Sequence, residues 1–252
     1  MKTQELFGVP IATATFKEAV QHLILDAHSK EKKAKVVVTP NVDHVVMLDR
    51  RPEIKSIYLK ADYFFADGWP IVFASNILNK RIPERVTGAD LMPELLLLAN
   101  NSKMKVFIVG GFPGEESNIY SKLKQLYPDV NLSIYSPANG FKNGSQDSDK
   151  IIEQINFKRP DMVFVCIGYP RQEVWAIQNK ELLQANLVLC VGAALDFIVG
   201  KVKRAPITVR KLKMEWLWRL LSDPKRLWRR YILEDTKFVG ILAKEYFQRA
   251  KN

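Results

Sequence analysis

The chain has 252 residues, of which 47% are hydrophobic, and it carries a formal net charge of +11. This is the composition of an ordinary globular protein with one large core, which excludes the disordered and fibrous classes. The longest apolar stretch, residues 187–195, is far shorter than the ~20 residues that span a bilayer, and residues 1–5 precede no signal-peptide core, so we expect a cytoplasmic protein.

Apolar runs alternate with segments of helical period along the first 200 residues. This alternation is typical of a layered, Rossmann-like α/β domain with a mostly parallel sheet. The predicted strands are residues 35–39, 62–66, 105–109, 131–135, 161–167 and 186–191. The predicted helices are residues 16–29, 42–50, 53–60, 70–78, 90–100, 115–126, 149–157 and 171–183. Cys166 and Cys190 fall inside strands, so we expect buried thiols rather than a disulfide or a metal site.

Turn and polar residues follow each predicted strand. In an open parallel sheet, ligands bind beyond the carboxyl ends of the strands, so these six clusters are expected to converge on one crevice. In chain order they contain Thr39-Pro40-Asn41, Asp67-Gly68, Gly110-Gly111, Ser136-Pro137, Arg171-Gln172-Glu173 and Asp196.

Asp67 stands at a strand end, directly before a glycine. A carboxylate at the edge of a cleft can act as a general base. Aspartate is also a favoured helix cap, and a helix is predicted to begin near Pro70. Both roles are open on the sequence alone.

Three other patterns have two interpretations each. The turn at Gly110-Gly111 fits a phosphate-binding turn or a plain tight connection. Residues 147–149 spell the Asp-x-Asp pattern of metal-dependent sugar-nucleotide enzymes, but they precede a helix and are better explained as its cap, so no metal is assigned. Arg85 lies five residues before Asp90. Asp90 is expected to cap the next helix, and the Arg85 guanidinium suits recognition of a phosphate or carboxylate.

Most of the net charge lies at the carboxyl end. From Lys201 onwards fifteen Lys and Arg face five acids, so this segment carries +10 and the first 200 residues carry +1. Three helices are predicted here: one with Leu212, Trp216 and Leu220, one that begins at Asp223-Pro224, and one over residues 236–249. Basic helices with tryptophan lie on anionic membranes. We therefore predict a catalytic body, residues 1–200, and a membrane-docking helical appendage, residues 201–252. Helices that pack on the body with a solvated basic face are the alternative.

Six strings, taken together and in order, resemble the WecG/TagA/CpsF glycosyltransferases. They start at Thr39, Ala66, Glu84, Pro170, Arg204 and Glu215 and read TPN, ADG, ERVTGADL, PRQE, RAP and EWLWRL. Each string is short, but the ordered set is specific, and the resemblance extends from about Leu6 to Tyr231.

The resemblance implies an inverting transfer, without metal or cofactor, from a UDP-sugar to a polyprenyl-diphosphate-linked sugar at the inner face of the cell membrane. It is nearest to members that move N-acetylmannosamine from its UDP form to undecaprenyl-diphosphate-linked N-acetylglucosamine, in the linkage unit of wall teichoic acid. The donor could equally carry the uronic acid of that sugar or glucose. A homodimer is possible.

The resemblance also implies roles for single residues. Asp67 is expected to be the base that deprotonates the acceptor's hydroxyl. The sugar and acceptor pocket is expected to contain Thr39, Asn41, Arg85 and Gln172. The residues expected to hold UDP are Gly110, Gly111, Ser136, Pro137 and Asp196, with Arg219, Arg226 and Arg229 on its diphosphate in place of a metal.

A nucleic-acid-binding protein is the alternative from a different class. Basic residues interleaved with tryptophan can neutralise phosphates and stack on bases. This interpretation leaves the polar strand ends of the body without a function, so we expect no nucleic-acid partner.

Overall fold

Six parallel strands form the centre of the body in the computed structural model. The structure describes residues 1–138, 140–212, 214–222 and 224–249, without the side chains at 211, 219, 226, 227, 229–235 and 249. A separate antiparallel hairpin precedes the sheet and consists of β1 (Thr3–Leu6) and β2 (Val9–Ala12). The sheet contains β3 (Lys35–Val38), β4 (Tyr63–Phe64), β5 (Lys105–Gly110), β6 (Asn131–Tyr135), β7 (Met162–Cys166) and β8 (Leu187–Cys190).

Helices fill the connections between these strands. In the body they are α1 (Phe16–Ala27), α2 (Val42–Arg50), α3 (Pro52–Tyr58), α4 (Trp69–Ile77), α5 (Gly88–Asn101), α6 (Glu116–Leu126), α7 (Gln146–Lys158), α8 (Arg171–Asn179) and α9 (Ala194–Ile198). A single 3-10 turn, Lys180–Leu182, follows α8. The carboxyl-terminal segment forms α10 (Ile207–Lys211), α11 (Glu215–Ser222) and α12 (Pro224–Arg249).

The strand order of the sheet is β4-β3-β8-β7-β5-β6, and each pair of neighbours is parallel. The predicted layered α/β class is therefore confirmed. From β5 the chain moves outward to the edge strand β6, then returns to β7 on the other side of β5. The direction of winding reverses between β5 and β7, which is where sheets of this kind open a ligand crevice.

The sheet is buried on both faces. In β7, Val163 and Val165 contribute to the core on one face, and Met162 and Phe164 contribute to the core on the other. Such continuous apolar strands are expected when helices cover both sides of a parallel sheet. The sequence patterns did not predict the hairpin, α9 or α10, because four or five residues carry too little periodicity.

The end of the chain packs against the body. Phe238 of α12 is buried, with its ring centroid 5.2 Å from that of Phe7. The Glu245 carboxylate accepts the Phe7 N–H at 2.7 Å and contacts Lys80 Nζ at 3.0 Å. Within the described ranges, no helix has the length and hydropathy to cross a bilayer.

Two predictions about the appendage are wrong. Residues 224–249 form one helix rather than two, because no proline follows Pro224 to interrupt it. Leu212 lies at the end of α10, so it is not part of the helix that contains Trp216.

Candidate functional site

A cavity of about 260 Å³ opens at the carboxyl edge of the sheet, where the winding reverses between β5 and β7. We call it the switch-point cavity. Its walls come from the loops after β5, β6, β7 and β8. The lining residues are Gly111, Phe112, Pro137, Ala138, Gly140, Phe141, Cys166, Ile167, Gly168, Arg171, Gly192, Ala193 and Asp196.

Close backbone contacts shape this cavity. A Cβ at Gly110 would lie 2.7 Å from that of Cys166, so only glycine fits between β5 and β7. Gly111 has φ +84°, which favours glycine as well. The buried Ser136 hydroxyl donates to the Gly110 carbonyl at 2.8 Å. Of the predicted UDP ligands, Gly111, Pro137 and Asp196 therefore line the cavity, and Gly110 and Ser136 support it from behind.

The turn after β5 is acidic. The Phe112 N–H donates to Glu115 Oε2 at 3.2 Å, and the Gly114 N–H donates to Glu116 Oε2 at 2.9 Å. These two amides already have carboxylate acceptors, and a phosphate would be repelled by the same carboxylates. The geometry favours the tight-connection interpretation of Gly110-Gly111.

Asp196 lies in α9 and is half-buried at the cavity wall. Burial raises the pKa of Asp196, against the opposing attraction of the Lys201 ammonium. Lys201 pairs with Glu115 and also lies over the Phe112 ring, with Nζ 5.0 Å from its centroid. The half-exposed Phe112 and Arg171 line the cavity but were absent from the predicted site. The sequence signals were a strand-end position for both and, for Arg171, the PRQE string that begins at Pro170.

A second candidate site surrounds Asp67, where the loops after β3 and β4 meet the loop before α5. The Asp67 N–H donates to the Pro40 carbonyl at 2.9 Å, and the Val86 N–H donates to the Ala66 carbonyl at 2.9 Å. Through these bonds, Pro40, which precedes Asn41, and Val86, which follows Arg85, lie next to residues 66–67. The backbone segments next to Asn41, Asp67 and Arg85 are therefore close together, and a pocket shared by their side chains stays a prediction.

Asp67 does not cap the following helix. The N-cap of α4 is Gly68, with φ +97° and no side-chain capping bond. The capping alternative for Asp67 is therefore wrong, and its carboxylate stays a candidate base. Thr39 is buried at the end of β3, next to the same loops.

Asn41 caps α2. Its Oδ1 accepts the backbone N–H of His44 at 3.2 Å and lies 2.8 Å from His44 Nδ1. Gln172 is 3% exposed and lies below the site surface. Its Oε1 accepts the Gly192 N–H at 3.1 Å, and its Nε2 donates to Glu173 Oε1 at 2.7 Å. Gln172 therefore supports a cavity residue, Gly192, rather than lining the cavity.

Arg85 belongs to an ion network that includes the appendage. Its Nη1 lies 3.1 Å from Glu215 Oε2 of α11, and its Nη2 lies 3.5 Å from Asp90 Oδ2. Arg204 contacts the same two acids, Asp90 at 2.8 Å and Glu215 at 3.6 Å. Arg210 contacts Asp90 at 3.5 Å. Asp90 and the three arginines border an open cleft of about 730 Å³ that Trp69 also lines.

Two helices have a different N-cap residue from the one predicted. Thr87, not Asp90, is the N-cap of α5, and its hydroxyl donates to Asp90 Oδ2 at 2.8 Å. The Asp-x-Asp sequence lies within the first turn of α7, which Ser145 caps. There Asp147 accepts the Tyr135 hydroxyl at 3.1 Å and the Ala138 N–H at 3.0 Å.

Two further predictions, that the enzyme needs no metal and that three arginines bind the diphosphate, stay predictions. Among the described residues, no group of three His, Cys, Asp or Glu side chains could hold a metal ion. Arg219, Arg226 and Arg229 lie in α11 and α12, but their side chains are outside the described part of the structure. Cys166 and Cys190 are free thiols; Cys190 is buried, as expected, whereas Cys166 is partly exposed at the cavity wall, and burial raises the pKa of each.

Comparison with known proteins covers the whole chain. A family model described as glycosyl transferase WecG/TagA/CpsF family matches residues 4–252. The chain is 29% identical over 248 residues to an N-acetylglucosaminyldiphosphoundecaprenol N-acetyl-beta-D-mannosaminyltransferase of Bacillus subtilis (97% of this chain, 93% of the relative). Proteins with the same name are 28% identical in Bacillus spizizenii (100% and 95% covered) and 27% identical in Staphylococcus aureus (98% and 95% covered).

Proposed function

Because the chain belongs to the WecG/TagA/CpsF family of glycosyltransferases, we propose that it transfers N-acetylmannosamine from its UDP form to N-acetylglucosamine on undecaprenyl diphosphate. This proposal rests on the similarity to the three named transferases. It extends over at least 97% of the chain in each case, so it includes both the body and the appendage.

The donor nucleotide occupies the switch-point cavity in this proposal. The cavity lies where parallel sheets of this type bind nucleotides, and Asp196 on its wall can accept hydrogen bonds from ribose hydroxyls. Gly111 and Pro137 shape the same wall. Because Glu115 and Glu116 make the turn after β5 acidic, we assign the diphosphate to the cations Arg219, Arg226 and Arg229.

Asp67 is the proposed base. Its carboxylate takes the proton of the acceptor's sugar hydroxyl, whose oxygen forms a bond to the anomeric carbon of the donor. The bond from that carbon to the UDP oxygen breaks, UDP leaves with the electron pair, and the anomeric configuration inverts. Arg85, Asn41 and Thr39 come from loops that adjoin Asp67 and would orient the two sugars, with Gln172 behind them.

We place this reaction at the inner face of the cell membrane, with the appendage as the docking surface. The acceptor is anchored in lipid, so the enzyme must reach it there. Large apolar side chains of the appendage that the structure describes are exposed, among them Leu212, Trp216, Leu221 and Trp228. Their exposure beside many Lys and Arg supports contact with an anionic bilayer.

A donor panel tests the proposed reaction. The protein is incubated with a lipid-diphosphate N-acetylglucosamine acceptor and, separately, the UDP forms of N-acetylmannosamine, its uronic acid, N-acetylglucosamine and glucose. Mass spectrometry of the lipid product should show one added N-acetylmannosamine and little product from the other donors. Preferred transfer from another donor would correct the sugar, and no transfer from any of them would refute the proposal.

A further inference from the structure

Arg171 is a charged residue of the switch-point cavity to which the proposed reaction assigns no function. It is the first residue of α8, directly after the loop that follows β7, and it is exposed. Two of the described lining residues carry a charge, Arg171 and Asp196. Arg171 is thus the cation that the described wall of the cavity offers to a ligand.

The guanidinium of Arg171 forms no ion pair with a carboxylate in the parts of the chain that the structure describes. Its Nη2 donates to the Ile167 carbonyl at 3.0 Å, which is a neutral acceptor. The three arginines of the open cleft differ, since each contacts the Asp90 carboxylate. A cation without such a counter-charge, at the wall of a cavity, attracts an anionic ligand.

The bond to Ile167 restricts where the guanidinium lies. Ile167 follows β7 and also lines the cavity, so the bond holds the guanidinium against the same wall. A guanidinium has five N–H donors in one plane, and this bond uses one of them. The others can bind two oxygens of one phosphate in parallel, which the ammonium group of a lysine does not do.

The cavity wall near Arg171 leaves room for a phosphate. Gly168 and Gly192 line the cavity without side chains. A Cβ built at Gly168 would meet no atom within 4 Å, so the space there is open. By contrast, the turn after β5 presents the carboxylates of Glu115 and Glu116, which repel a phosphate. A phosphate is therefore better placed on the β7 side of the cavity than on the β5 side.

We propose that Arg171 binds the phosphate next to the ribose of the donor, the α-phosphate. This rests on the proposed function, in which Asp196 accepts hydrogen bonds from the ribose. Arg171 and Asp196 follow the neighbouring strands β7 and β8, so a ribose at one brings the adjoining phosphate near the other. The β-phosphate, which joins the transferred sugar, is left to the arginines of the appendage. The diphosphate is thus divided between the body and the appendage.

The two phosphates differ in their part in the reaction. Negative charge develops on the β-phosphate as its bond to the anomeric carbon breaks, whereas the charge on the α-phosphate changes little. A ligand of the α-phosphate therefore stabilises the bound donor and the transition state about equally, which lowers the donor KM and leaves kcat unchanged. This difference separates Arg171 from a residue that acts on the leaving group.

Binding of three ligands to the full-length protein tests the assignment without any assay of transfer. Calorimetry measures the Kd of UDP and of UMP, and chemical-shift titration measures the weaker binding of uridine. In Arg171→Gln the Kd of both UDP and UMP should rise about 10-fold to 100-fold, because a charged hydrogen bond is lost, while that of uridine stays unchanged. Arg171→Lys keeps the charge and should lose less affinity. The control is Arg81→Gln, the same change at an exposed position outside the cavity.

Three binding results would overturn the proposal. Weaker UDP binding with unchanged UMP binding would place Arg171 on the β-phosphate. Weaker binding of uridine as well would place it on the nucleoside, and no change for any ligand would show that it binds none of them. If Arg171→Gln does not fold, Arg171→Met removes the same charge and decides the test.

Kinetics connect the assignment to the proposed reaction. In Arg171→Gln the donor KM should rise in proportion to the Kd of UDP with kcat nearly unchanged, and a fall in kcat alone would contradict an α-phosphate ligand. If the unaltered protein binds UDP but transfers no sugar, the proposed function fails, and the three ligands still decide what Arg171 binds. If it binds no UDP, both proposals are refuted.

Discussion

At the scale of single residues, the proposed chemistry depends on the Asp67 carboxylate. Its backbone is fixed by the hydrogen bond to Pro40, and the helix that follows is capped without it. The side chain is therefore not the N-cap of α4. A carboxylate in such a position is suited to proton transfer.

We predict that Asp67→Asn lowers kcat by about 10²-fold to 10⁴-fold, the usual contribution of a general base. Binding of UDP should persist, since the switch-point cavity does not include Asp67. Steady-state kinetics and calorimetry measure the two effects. Asp149→Asn, at an exposed position of the Asp-x-Asp sequence, is the control and should keep full activity. Near-normal turnover of Asp67→Asn would exclude it as the base.

A second residue-scale prediction concerns stability and pH. Burial acts to raise the pKa of Asp26, but hydrogen bonds from Lys35 and Tyr63 and the charge of Lys35 lower it below its ordinary 3.8. A lowered pKa in the folded state stabilises above the ordinary value, and this stabilisation is lost as the pH falls through the folded value.

Asp26→Asn should therefore reduce the free energy of unfolding by about 1 kcal/mol near neutral pH. The difference should shrink when urea unfolding is repeated below pH 3.8. Asp149→Asn again serves as control. A difference that grows in acid would contradict this sign.

Single residues also show which features of the site can be predicted from the sequence and which contacts cannot. The placement of Asp67, Gly111 and Asp196 at the carboxyl edge of the sheet could be predicted because each follows a recognisable strand, and strand ends converge in this fold. The bonds of Arg85 to Glu215 and of His44 to Glu173 join positions 130 and 129 residues apart. Such pairs depend on how finished elements pack, and no local pattern encodes them.

At the scale of elements, ion pairs attach α11 to the body. Glu215 is the first residue of α11, and its carboxylate contacts Arg85 and Arg204. All three side chains are mostly buried. In the proposed mechanism α11 also carries Arg219. A break at Glu215 would therefore release a diphosphate ligand together with the helix.

We predict that Glu215→Gln lowers the local opening free energy of α11 by about 1–2 kcal/mol, because a charged hydrogen bond is lost. Hydrogen exchange across residues 215–222 measures this change, and kcat should fall with it. Glu153→Gln, at an exposed site on α7, should change neither. Faster exchange with unchanged kcat would separate α11 from catalysis.

The elements themselves were largely predictable. All six strands of the sheet and the eight predicted helices of the body are present, because long periodic segments give a strong signal. The appendage was harder. Residues 231–236 contain polar residues but no proline or glycine, so α12 continues where a break between two helices was predicted.

At the scale of the whole molecule, charge and exposed aromatic residues lie on the same appendage. Trp216 and Trp228 are each 50% exposed. Replacing both with serine should lower partition onto anionic vesicles at least about tenfold, since burial of each large apolar side chain contributes about 1.5–3 kcal/mol. Co-sedimentation across a salt series measures this.

The control for that experiment is Phe157→Ser, which removes an 81% exposed aromatic residue from the body. It should leave vesicle binding unchanged. Gel shifts with DNA and RNA run in parallel. Tight nucleic-acid binding without vesicle binding would favour the nucleic-acid alternative over a membrane-docked transferase.

The appendage contacts the body at two places, through the Arg85–Glu215 ion pair and through the Phe7–Glu245 hydrogen bond, so both its start and its end are attached. The second attachment lies within α12, a helix of 26 residues that spans about 39 Å, and Phe238 of the same helix is buried against the body. In the proposed membrane-docked enzyme, an appendage attached in this way would keep a constant height between the bilayer plane and Asp67. The sugar next to the lipid diphosphate would then reach the proposed base, and the new end of the extended acceptor would lie beyond it. Prolonged incubation should accordingly yield lipid with a single added sugar, and a ladder of longer products in the mass spectrum would show that no such height is enforced.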